Sequence, residues 1–164
     1  MLRPGDRVLD VGAWPGAWMQ VALERVGRGG RVVGVDVVEP QPLAGAAVVV
    51  GDIRQPEVLD AAVERLGGKA TVVLCDIAPK LTGVTERDEA MMTQLVTAVA
   101  DALPRLLDPG GRLVLKLFSG EGHVEITRRL RPLFGRLHST RPRATRPGSS
   151  EIYVIGLGFR PLCG

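Results

Sequence analysis

Val8-Leu-Asp-Val-Gly-Ala-Trp-Pro-Gly-Ala-Trp18 is the stretch on which the fold turns. Its first four residues form a short, β-branched run, as expected of a parallel strand covered on both faces. Gly12 and Gly16 bracket a turn, and glycine lets a backbone approach a ligand closely or take positive φ. Pro15 suits the first turn of a helix, where no N–H is missed. A helix starting there presents free N–H groups and a partial positive charge. The stretch therefore predicts strand, glycine turn and helix, built to hold a nucleotide-like ligand at the carboxyl end of the first strand.

The same alternation runs on through the chain. Strands are predicted over 7–11, 31–36, 46–50, 70–76, 112–118, 137–141 and 152–157. Helices are predicted over 15–26, 56–66, 88–107 and 122–133, with Pro104 a point where the third can bend. This pattern predicts an α/β, Rossmann-like fold: a mostly parallel seven-stranded sheet with helices on both faces. The last two strands have no helix between them, so a hairpin with an antiparallel last strand is expected. Right-handed crossovers bring the strand carboxyl ends to one edge. Asp36, Asp52 and Asp76 all fall there. Asp36 lies 20 residues past Gly16, where an acid in a nucleotide-binding unit accepts ribose hydroxyls.

At 164 residues the chain reads as a single domain, 1–164. Hydrophobic content is 45% but aromatics are only 4%, so the core must be mostly Val, Leu and Ala. No run of about 18 apolar residues predicts a membrane span, and no charged-then-apolar leader is visible. Cys75 and Cys163 are too few and too scattered for a disulfide framework or zinc site. No metal is expected, and a cytoplasmic, reducing setting fits. The net charge of +3 is unevenly spread. Arg128, Arg129, Arg131, Arg136, Arg141, Arg143 and Arg146 crowd together, and no acid lies between Glu125 and Glu151. Such a footprint suits phosphates, although a solvated basic face gives the same pattern. Eighteen of the 21 basic residues are arginine and asparagine is absent, a bias that a GC-rich genome also produces.

Three acids around a glycine turn narrow the ligand. A dinucleotide fold usually shows G-x-G-x-x-G, whereas this chain has G-x-x-x-G with a proline inside. Acids at three strand ends repel a pyrophosphate. They suit ribose hydroxyls, an adenine amine and a positive centre, which S-adenosylmethionine combines, so that ligand is favoured over NAD.

Asp10-Val-Gly-Ala-Trp-Pro-Gly-Ala-Trp18, Gly34-Val-Asp36, Gly51-Asp-Ile53, Cys75-Asp-Ile-Ala-Pro79, Pro109-Gly-Gly111, Leu115-Lys-Leu-Phe-Ser-Gly-Glu-Gly122 and Ser149-Ser-Glu-Ile-Tyr-Val154 together resemble the FtsJ (RrmJ) family. Those enzymes are S-adenosylmethionine-dependent 2′-O-ribose methyltransferases of large-subunit ribosomal RNA. The resemblance covers nearly the whole chain, in order. It implies cofactor contacts from Gly12, Pro15, Gly16, Trp18, Ile53 and Asp76, with Asp36 on the ribose and Asp52 on the adenine amine. Of the family's Lys-Asp-Lys-Glu catalytic tetrad, the last three members match Asp76, Lys116 and Glu151. Each also has a plainer reading: Asp76 as a loop cap, Lys116 as a strand-end lysine reaching solvent, Glu151 as an arginine partner, Trp14 and Trp18 as core, His123 as a surface residue.

The resemblance has departures. The tetrad's first lysine belongs to a segment upstream of the glycine-loop strand, and here only residues 1–6 precede that strand. Lys80 is expected to replace the missing cation. Trp14 stands where the family has a small residue. Lys80, Arg141, Arg143 and Arg146 are the expected RNA-binding residues. The reading is a monomeric, cytoplasmic enzyme with ribosomal RNA or the large ribosomal subunit as partner and no membrane association. Its alternatives are 2′-O-methylation of a transfer RNA or cap, or a cofactor-binding RNA module with little turnover.

Overall fold

A computed structural model describes residues 1–78, 83, 85–118, 121–141 and 151–161. The elements run β1 (Arg7–Val11), α1 (Ala17–Val26), β2 (Arg31–Asp36), β3 (Ala46–Val50), α2 (Pro56–Leu66), β4 (Ala70–Cys75), α3 (Thr85–Leu106), β5 (Leu107–Phe118), α4 (Glu121–Leu130), β6 (Phe134–Thr140) and β7 (Glu151–Phe159). The sheet order is β3-β2-β1-β4-β5-β7-β6. The first five of these strands are parallel, and β7 runs antiparallel to both β5 and β6. The expected α/β sheet and its antiparallel last strand are therefore present. β7 inserts between β5 and β6 rather than adding at the edge.

Side-chain alternation sorts the core into two layers. On one face Val8, Val32, Val72 and Leu74 pack under Met19, Ala22 and Val26 of α1. On the other, Leu9, Val33, Val73 and Leu113 lie against α2, α3 and α4, with Leu59, Leu103 and Ile126 among the contacts. Asp10 alternates with Val8, so its carboxyl points into the apolar layer beneath α1.

Several boundaries differ from expectation for local reasons. Gly16 has φ 119°, outside the helical region, so α1 begins at Ala17 and Pro15 stays in the turn. The Trp14–Pro15 peptide is cis. α3 starts at Thr85, three residues early, and runs through Pro104. β5 absorbs the expected turn at 108–111: Leu107 pairs with Ala70, then the register shifts before Arg112 pairs with Val72. The predicted helix over 122–133 breaks into α4 and a 3₁₀ turn at Arg131–Leu133, where Pro132 cannot donate to an α-helical bond.

Candidate active site

One row across the sheet carries the site. Val11 of β1 pairs with Val35 of β2 and Cys75 of β4, and Cys75 pairs with Leu115 of β5. The next residues along these strands are Gly12, Asp36, Asp76 and Lys116. They lie side by side at the carboxyl edge, on the face that α1 covers. The ladder continues into this row: Gly12 N–H donates to Val35 O at 2.9 Å and Asp76 N–H to Val11 O at 3.0 Å. A Cβ on Gly12 would lie 2.7 Å from the Asp76 main chain, so only glycine lets β1 and the Asp76 turn come this close.

β7 completes the row from the opposite direction. Its register sets Tyr153 opposite Lys116 and Glu151 opposite Phe118. Glu151 is thus two residues along from Tyr153 on the same face, within diagonal reach of Lys116. The Lys116 ammonium pairs with Asp76 and stands 3.8 Å from Glu151. Its side chain is 19% exposed, which is not the outward-reaching lysine of the plainer reading. Burial raises the Asp76 carboxyl above its usual range, Lys116 draws it back, and Glu151 pushes it up again. Tyr153 is raised by burial and then by Glu151. Its ring stacks on Trp18, centroids 6.1 Å apart and planes 19° apart, joining α1 to the lysine end of the row.

The acids are not arranged as the sequence suggested. Asp36 accepts N–H donation from Trp14 and Val38, both at 2.9 Å, and so clamps the glycine turn to the end of β2. Asp52 is paired with Arg54 at 2.5 Å, which holds its carboxyl below the usual range. It is not among the groups that press on the glycine turn. The third acid there is Asp10. It is 1% exposed, and among the described residues no side chain donates to either carboxylate oxygen. Burial, then Asp76, then Asp36 push it up to about 8, with only the Met19 amide of α1 opposing. Sequence reading missed Asp10 as a site residue. The available signal was an acid inside the apolar run Val8–Val11, otherwise Val and Leu.

The other expected residues are placed as follows. Pro15 is exposed on the turn, Gly16 is buried, and Trp18 is half-buried under its contact with Tyr153. Ile53 is 3% exposed within the core, so its side chain is a packing group and only its backbone can face a ligand. Cys75 is buried and its thiol is pushed up to about 12 by desolvation, which makes it an inert core residue. His123 bonds Ser139 at 3.1 Å and ties α4 to β6. Arg141 is exposed just past β6. Lys80, Arg143 and Arg146 lie outside the described residues. No group of three potential metal ligands occurs among the described residues, and no described helix is long and apolar enough to cross a membrane.

Residues 1–159 match the FtsJ-like methyltransferase family. The chain belongs to that family. Relatives named ribosomal RNA large subunit methyltransferase E include one from Acidithiobacillus ferrooxidans, 41% identical over 160 residues, covering 98% of this chain and 73% of that protein. Another, from Methanothermobacter thermautotrophicus, is 40% identical over 162 residues, covering 98% and 77%. Among solved structures, a putative ribosomal RNA methyltransferase of Plasmodium falciparum superposes with TM-score 0.83 at 22% identity, covering 97% of this chain and 89% of that one. Aeropyrum pernix fibrillarin with natively bound S-adenosylmethionine gives TM-score 0.69 at 16% identity, covering 94% and 67%. At these identities the two structures speak for the fold.

An FtsJ-like methyltransferase needs a seat for S-adenosylmethionine, and this chain's residues fit that group. A buried carboxyl without a cation partner, two further acids on the same face and a turn that excludes any Cβ make a site rich in carboxyl groups. That site complements a cationic ligand bearing ribose hydroxyls.

Proposed function

We propose that this protein transfers a methyl group from S-adenosylmethionine to a ribose 2′-hydroxyl of large-subunit ribosomal RNA. The observation that carries the reading is Lys116, held by Asp76 and Glu151 in the same sheet row as the acids of the glycine turn. Bound there, the cofactor supplies a methyl group on a sulfonium centre. Asp36 would accept hydrogen bonds from the cofactor's ribose hydroxyls, and Asp76 would complement its positive charge beside the buried Asp10 carboxyl. Gly12, Pro15 and Gly16 shape the turn around it. Trp18 would lie against the cofactor, and Asp52 and the Ile53 backbone would hold its adenine.

On the acceptor side, Lys116 orients the RNA hydroxyl and meets the negative charge that grows on its oxygen. Asp76 and Glu151 hold the ammonium in place, and the hydroxyl proton leaves into this three-residue set. A lysine suits this task because its charge is tunable where an arginine's is fixed. Lys80, Arg141, Arg143 and Arg146 engage phosphates, a role supported by the acid-free run of arginines. One domain carries both tasks, as a monomer in the cytoplasm.

The test is incubation with labelled cofactor and hypomethylated large ribosomal subunits, beside transfer RNA. Label in a 2′-O-methyl nucleotide of large-subunit RNA, lost in Lys116→Ala, is the expected result. Label confined to transfer RNA replaces the substrate. Cofactor binding without transfer to either RNA overturns the enzyme reading.

A further inference from the structure

Trp14 is an anchored residue with an uncovered ring. Its N–H is held by Asp36, and the Gly12 and Ala13 amides before it both donate to Val35 O, at 2.9 and 3.2 Å. Two residues on, Gly16 O accepts from Gln20 at 3.0 Å. The loop is pinned on both sides, yet the Trp14 side chain is 59% exposed. Val37 and Val38, also exposed, follow Asp36 directly, and Asp36 grips the Val38 amide as well. The result is an apolar shelf with a rigid base at the mouth of the site. An indole left this open is the kind of surface a ligand covers.

Position and charge say which ligand. Gly12 packs against the Asp76 main chain, and two residues of chain span about 7 Å at most. The Trp14 loop therefore stands at the β2 side of the row, close enough to the Asp76–Lys116 end for an RNA strand entering there to reach it with a neighbouring base. The charged groups that flank Val37 and Val38 in the chain are Asp36 and Glu39, which repel phosphate. The part of an RNA that suits an aromatic face among carboxylates is an unpaired base. Phosphates belong on the other side of the row, where β6 carries Arg136 and leads into Arg141.

We infer that Trp14 is a stacking platform for an unpaired RNA base beside the methylated ribose, and so helps determine which site is modified. This rests on the RNA methyl-transfer reading above. The rival occupant is the adenosine of the cofactor, since Asp36 is the next side chain along.

The experiment compares Trp14→Leu, Trp14→Phe and the unaltered protein on in-vitro-transcribed large-subunit RNA. It measures RNA KM and Kd, and separately cofactor Kd by calorimetry. Trp14→Leu keeps an apolar side chain but loses the ring. It is expected to raise RNA KM and Kd about tenfold, with cofactor Kd within about twofold, and Trp14→Phe should recover most of the loss. RNA KM unchanged in Trp14→Leu, while transfer proceeds, overturns the platform and leaves the enzyme reading intact. A tenfold weaker cofactor Kd with unchanged RNA KM at saturating cofactor assigns the ring to adenosine. Failure of Trp14→Phe to recover binding rules out stacking. If the unaltered protein transfers nothing, the enzyme reading falls, and equal RNA Kd for it and Trp14→Leu overturns the platform too.

Discussion

Asp6 and Asp10 stand at the two ends of β1, and both are withdrawn from solvent, at 6% and 1% exposed. At the amino edge Asp6 is fully engaged. It accepts from the Arg3 amide at 2.6 Å, the Thr71 hydroxyl at 2.9 Å and the Arg112 guanidinium at 2.5 Å. Arg7 and Asp108 pair beside it. A cleft of about 470 Å³ opens at this edge, yet its acids are already matched to arginines. At the carboxyl edge Asp10 has no cation or side-chain donor among the described residues, only the Met19 amide, and its nearest charges are other carboxylates. A buried acid with three donors fixes the sheet. A buried acid without a matching cation is a standing cost that a folded chain retains where a cationic ligand removes it. The cleft with matched charges reads as structural, and the row that holds Asp10 is the one proposed as the site.

That contrast can be broken from either end. The largest effect is expected at Lys116: Lys116→Ala should lower the transfer rate about a thousandfold while leaving the thermal midpoint within a few degrees. Loss of fold in that variant would move Lys116 from chemistry to structure. Asp6→Ala should do the opposite, costing about 3 kcal/mol because Arg112 and Thr71 lose their shared acceptor. Urea denaturation reads this as a lower midpoint, and cofactor affinity at low temperature should hold.

Asp10→Asn sharpens the comparison through pH. In the folded protein burial keeps the proton on Asp10 up to about pH 8, whereas a free aspartate loses it at 3.8. The folded state therefore binds more protons than the unfolded state between those values, so stability falls as pH rises from about 4 to about 8 and then levels. Asn removes that slope. Above pH 8 the variant should be more stable than the unaltered protein by about 2 kcal/mol, part of the gain being offset by an unpaired buried amide. No gain is expected at pH 4, and cofactor binding should weaken. A variant that is less stable at pH 9 would show Asp10 to be a second Asp6. Smallest of all, Arg7→Ala should cost about 1 kcal/mol or less in urea denaturation, since both members of the Arg7–Asp108 pair are about a third exposed.

The strands that carry the site were legible because valine runs punctuated by glycine and aspartate leave few alternatives. Asp76, Lys116 and Glu151 were legible through motif resemblance, and register explains why three such distant residues meet. Asp10 was hidden by its own context: periodicity counts an acid inside a valine strand as one more strand position, and only burial reveals the missing partner. The partner of Asp52 was hidden for the converse reason. Its pairing with Arg54 is a loop contact two residues long that no periodicity records. The reach of β5 back to Leu107 and the insertion of β7 depend on long-range pairing, which local propensity does not encode.

The reversed strand β7 has a consequence for how such a protein can change. Because it runs backwards, its first residue arrives where its neighbours' last residues end. On the proposed function, the donor half, β1 to β3, and the acceptor half, β5 to β7, are thus drawn from separate stretches of chain on either side of Asp76. Residues between β6 and β7 can lengthen, shorten or change charge to suit a new acceptor, with the methyl-donor seat inherited intact.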